Sequence, residues 1–176
     1  MNKEDSSIYS KIDSLIEGLH NDDGLKRQRA RFGLIHIGHE AVSPLIDMIQ
    51  NEEGQVRWEA IETLSRMDAP AAVPVLVEAL KDDDKGIRWA ASNALIAQDR
   101  ASLKPLFQAL VKQNGFGSAQ FRHGAHHILH VLKDHYRLLP NEIEVFNALE
   151  GSEPEAKAPW AAEAALEDLE FKMRKP

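Results

Sequence analysis

Five of the eight histidines fall within "HGAHHILHVLKDH", residues 123–135. His123 and His127 are four residues apart and His130 follows three later, so on a helix they share one face. Two imidazoles at that spacing converge well enough to form half of a tetrahedral metal site. The run also echoes the H-E-x-x-H pattern of helical zinc proteases, but Gly124 stands where the general-base glutamate belongs. The hydrolytic reading thus lacks its key residue, and no third ligand is evident. His123 and His127 stay as metal candidates beside a plainer reading, a polar, pH-responsive stretch of surface.

Tryptophan is the other chemically telling residue. Trp58, Trp89 and Trp160 occur in "VRWEAIETL", "GIRWAASNAL" and "APWAAEAAL". Serine and threonine form no nucleophile constellation: there is no G-x-S-x-G, and "NGFGS" lacks the lysine of a phosphate loop and reads as a flexible turn. With no cysteine, a disulfide framework and thiolate chemistry are excluded. These observations point away from an enzyme and imply no cofactor.

A chain of 176 residues, 43% hydrophobic and 28% charged, suffices for one domain with a real core. Its net charge of −7 argues against a phosphate-binding surface, so no nucleic-acid partner is expected. No apolar run approaches the roughly 18 to 20 residues that cross a bilayer, and "MNKEDSSIYSKI" lacks a signal's apolar stretch. The expectation is a cytoplasmic protein without a membrane partner.

The positioning elements repeat. In "LKRQRARFGLIHIG", "QVRWEAIETLSRMD", "GIRWAASNALIAQD" and "QFRHGAHHILHVLK", the residues Arg27, Arg57, Arg88 and Arg122 form one column. Ala30, Ala60, Ala91 and Ala125 follow three later, and Leu34, Leu64, Leu95 and Leu129 seven later. "APWAAEAALEDL" fits the same frame, with Pro159 in place of the arginine and Leu166 keeping the leucine. Each segment follows a second amphipathic one, and Pro44, Pro74 and Pro105 sit near the starts of three of these. "NDDG", "NEEG" and "DDDKG" supply turns, "EGSEPEAKAP" reads as an exposed loop before the last helix, and no period-2 strand pattern occurs. The prediction is all-α: ten helices in five pairs, one domain over 1–176, with repeats near 6–37, 41–67, 70–97, 101–132 and 139–172.

This pattern resembles the HEAT-like repeats of the phycobilisome-lyase type, most fully in "VRWEAIETLSRMDAPAAVPVLVEALKDDD", residues 56–84. The resemblance implies a right-handed α-solenoid whose arginine-bearing helices line the concave side. It also implies an Asp/Asn-to-Arg ladder, and Asn21, Asn51 and Asp82 each precede an arginine by six residues. The ladder accounts for Arg27 in "LKRQRARF" as structural. Deoxyhypusine hydroxylases resemble this array too, but their His-Glu pairs after the arginine are here Gln28-Arg29, Trp58-Glu59, Trp89-Ala90 and His123-Gly124. The bilin lyases of the wider family imply an alternative, a chromophore- or ligand-handling accessory protein.

At 100° per residue, Val56, Ala60, Thr63, Leu64 and Met67 share a core arc while Trp58, Glu62 and Ser65 face away. The equivalent stripes are Gln28, Phe32 and Ile35; Trp89, Asn93 and Ile96; His123, His127 and His130; and Trp160, Ala164 and Glu167. All three tryptophans thus occupy one column. Either they line the groove or they pack between repeats. The first reading gives a partner-binding set of Trp58, Glu62, Trp89, Asn93, His123, His127, His130 and Trp160. With Glu59 and Glu62 supplying charge, it suits a basic or amphipathic protein segment.

Overall fold

The computed structural model describes residues 3–52, 54–112, 119–135 and 137–174. Among them are ten α-helices in five consecutive pairs and no strand. The pairs are α1 (Lys3–Leu19) with α2 (Gly24–Ile37), α3 (Val42–Asn51) with α4 (Gly54–Leu64), and α5 (Val73–Ala79) with α6 (Lys85–Ala97). They continue with α7 (Leu103–Lys112) and α8 (Ala119–Asp134), then α9 (Pro140–Glu150) and α10 (Pro154–Arg174). The "NGFGS" turn lies outside the described residues.

Local chemistry sets the helix ends. Asp23 and Asp84 are N-caps whose carboxylates accept from Leu25 N and from Gly86 N and Ile87 N. Asn21 and Asp82 brace the same turns by accepting from the Asp23 and Asp84 amides. α2 ends on Gly38, whose φ of 83° favours glycine. Pro44, Pro74 and Pro105 fall within the first three residues of α3, α5 and α7, where a missing amide hydrogen costs nothing. The last loop is shorter than the sequence suggests. Helix α10 begins at Pro154 and continues through Pro159, so most of "EGSEPEAKAP" is helical. Proline fits the first helical position well, whereas Pro159, sixth in the helix, has no amide hydrogen to give to Glu155 O, so the ladder lacks one bond there.

Stacking follows chain order through four pairs. The second helices α2, α4, α6 and α8 pack closely side by side, whereas the first helices α3, α5 and α7 touch only lightly. Closer approach on one side curves the array toward the second helices. The buried alanine and leucine columns lie where these layers meet: Ala30, Ala60, Ala91, Ala125, Leu34, Leu64, Leu95 and Leu129 are all in the core. Gln98 adds a polar joint. Its buried amide accepts from Ala69 N at 2.9 Å and donates to Met67 O at 2.9 Å, tying the end of α6 to the turn after α4.

The fifth pair is inverted. α9 packs on α8, and α10 packs on α7 as well as on α9. Phe146 of α9 stacks on His126 of α8 at 5.1 Å, and Lys104 of α7 meets Glu170 of α10 at 3.4 Å. In the order of the earlier pairs, α9 would have followed α7 and α10 would have followed α8. An ion pair accompanies the exchange. Arg100, in the turn between α6 and α7, gives two bonds to Glu142 at the start of α9, at 2.7 and 3.0 Å. It also donates to Arg137 O at 2.6 Å.

Candidate functional site

The stripe facing away from the core runs at helical spacing along α4, α6 and α8. Its best-formed feature is a cleft of about 400 Å³ between α6 and α8. Trp89 forms one wall, 59% exposed, with its ring stacked on His127 at 5.1 Å and 25°. Lys85, Arg88 and Ser92 line it with Trp89 from α6, and Gln120, His123 and Gly124 line it with His127 from α8. A Cβ at Gly124 would lie 3.0 Å from Leu80 Cδ2, at the end of α5, and 3.5 Å from Ser92 Oγ of α6, so this glycine lets α8 come close to the α5–α6 pair.

The structure therefore brings together Trp89, His123 and His127, with Asn93 exposed one turn beyond Trp89. It separates the rest. Trp58 is half-buried against the core, with the Arg31 guanidinium 5.6 Å from its ring centre. In that repeat, packing and exposure coexist on one indole. Glu62 pairs with Arg66 at 2.9 Å. His130 turns toward α9, edge-on to Phe146 at 5.9 Å and 3.2 Å from Asp134. Trp160 does not join the Trp89 column. It is 80% exposed, but its helix lies along α7 and α9 because the last pair is inverted.

Two further expectations change. Glu59 offers no charge to a partner: it is 2% exposed and accepts from Arg27 at 2.7 Å, Arg31 at 2.6 Å and Gln55 at 2.9 Å. The case for a basic segment thus loses one carboxylate to the core, and Arg66 engages the other. As for metal, His123 and His127 share the cleft, but His127 is stacked on Trp89. Among the described residues, no group of three or more potential ligands could hold an ion. Lys85, Arg88 and Gly124 were not in the expected set, although each occupies a position legible in the repeat alignment.

The ladder holds in modified form. Arg27 and Arg88 bond the backbone carbonyls of Asn21 and Asp82, six residues earlier, at 2.8 and 2.7 Å. Arg57 instead uses Glu52 O at 2.8 Å and the Asp82 carboxylate at 2.5 Å.

His126 titrates against this geometry. Burial against Phe146 holds its pKa below the ordinary imidazole value, the charges of His130, His123 and His127 lower it further, and Glu150 opposes the shift. A depressed folded pKa means that the neutral ring is favoured in the native state. Its stabilisation is complete above about pH 6.5 and is lost as pH falls from there through the folded value. Urea midpoints should therefore drop between pH 7.5 and 5.5 by more in the native chain than in His126→Leu. Equal drops would exclude this ring as the cause.

Curved stacks of helix pairs are a class of protein that works through its open faces. Residues 12–96 match the family model of HEAT repeats, and the ten-helix, all-α architecture is consistent with a HEAT-repeat solenoid. HEAT repeats commonly mediate protein–protein interaction. No curated protein matches the chain, and no helix among the described residues is long and apolar enough to cross a membrane.

Proposed function

We propose that this chain is a non-catalytic interaction module that holds an amphipathic partner segment along the faces of α4, α6 and α8. The observation that carries the reading is Trp89: a largely exposed indole held in one orientation by His127 at the wall of a cleft. A rigid exposed aromatic loses little entropy on binding and contributes a large contact area, the usual profile of an interface anchor. A cleft of about 400 Å³ lies toward the small end of ligand sites, which suits one or two side chains better than a tetrapyrrole. The phycobilisome-lyase subtype and its chromophore chemistry therefore rank second.

Selection from a random peptide library tests the reading. Peptides recovered on the native chain should bind Trp89→Ala at least tenfold more weakly, a loss of about 1.4 kcal/mol or more. Trp160→Ala should leave binding unchanged, because α10 belongs to the other row. The reverse pattern would move the binding surface to α10.

A further inference from the structure

The arginine column changes character along the chain. Arg27 closes on Glu59 of the next second helix, and Arg57 closes on Asp82 in the turn before the next one. Arg88 gives Nη1 to two backbone carbonyls, Asp82 O and Asp83 O, and pairs with no carboxylate among the described residues. The sequence explains why. The position in α8 equivalent to Glu59 is Gly124, and "KQNGFGS", which stands where "DDDKG" stood one repeat earlier, contains no acidic residue. The third rung is open.

That open rung lies in the cleft already described. Arg88 and Lys85 border it with Trp89, His123 and His127, and none of its lining residues is acidic. A cleft edged by two cations on a chain of net charge −7 favours an anionic occupant. We propose that it takes a partner's Asp or Glu carboxylate on Arg88, with an adjacent apolar or aromatic side chain laid on the Trp89 indole. This rests on the interaction-module reading and specifies its partner as an acidic protein segment. The incoming carboxylate does in trans what Glu59 and Asp82 do within the chain.

The test uses the full chain and pools of synthetic 12-residue peptides in which Glu-Phe or Glu-Leu is compared with matched Gln and Lys versions. Binding is read from the Trp89 indole resonance and by calorimetry. The Glu peptides should bind at least about tenfold tighter than the Gln versions, and the preference should shrink as salt is raised. Arg88→Gln should erase the preference. Because Arg88 also fastens the turn before α6, His123→Glu is the second variant. It sets a carboxylate in the cleft from an exposed position and should weaken the Glu peptides about tenfold without loss of helicity.

If Lys peptides shift Trp89 at lower concentration than Glu peptides, the acidic partner is wrong and the interaction module stands. If no pool shifts Trp89, both readings fall. If a single-stranded oligonucleotide displaces the Glu peptides at lower concentration than they themselves bind, the occupant is a phosphate backbone and the acidic protein segment is overturned.

Discussion

Glu142→Ala is expected to free α9 and α10 while α1 to α6 keep their protection. Glu142 is 1% exposed, receives both Arg100 bonds, and accepts from Leu139 N at 2.7 Å. The Arg100 bonds hold that guanidinium more firmly charged, raising its pKa above the ordinary value. Removing one partner of a buried pair costs about 3–5 kcal/mol. Arg100 is 40% exposed and recovers some hydration, so the expected loss is near the lower end, about 3 kcal/mol. In a stacked array each pair depends on its neighbours, so the loss should be local. Hydrogen exchange followed by mass spectrometry should show α9 and α10 peptides exchanging about a hundredfold faster, with α4 and α6 unchanged. A uniform loss across the chain would mean that the fifth pair is not a separable unit.

The second large effect belongs to Glu59→Ala. That carboxylate answers two arginines, whose side chains are themselves mostly covered, and its removal leaves both without a counter-charge. A destabilisation of about 3–5 kcal/mol is expected, carried by the junction of the first two pairs. Glu62→Ala, three residues on, removes only an exposed pair with Arg66 and should change stability by about 0.5 kcal/mol or less. Urea denaturation of the two variants side by side is the measurement. Similar midpoints would show that the buried triad contributes no more than a surface pair.

The contrast between those glutamates also shows what was legible in the sequence. Helix period, turn caps and the Ala and Leu columns are local patterns, and they place all ten helices. Glu59 lies three residues after Val56 and four before Thr63, on the core-facing side of the wheel, yet its charge suggests an open face. Only Arg27 and Arg31, about thirty residues earlier, explain its burial. Trp160 fails for a related reason. Its local frame matches that of Trp89, but its helix packs on α7 and α9, and contacts such as Arg100 to Glu142, forty-two residues apart, lie beyond any local frame. Periodicity reads a helix and its faces; which neighbour a face meets depends on pairings that no local window contains. The cleft was half legible: Trp89, His123 and His127 fall on one stripe, while the missing acid at Gly124 is an absence that only comparison between repeats reveals.

Gln98 bears on how the array yields under load. A curved stack behaves as a spring whose compliance is divided among its joints, and changing the angle at one joint means shearing whatever spans it. Between the second and third pairs, the span includes a buried amide bonded to backbone on both its oxygen and its nitrogen. Those bonds oppose shear at this joint, so flexing is expected to be easier at the joints on either side. One of these is the glycine-lined contact between α6 and α8, where a small rotation widens or narrows the gap beside Trp89. The proposed binding cleft thus lies at a joint other than the one Gln98 spans.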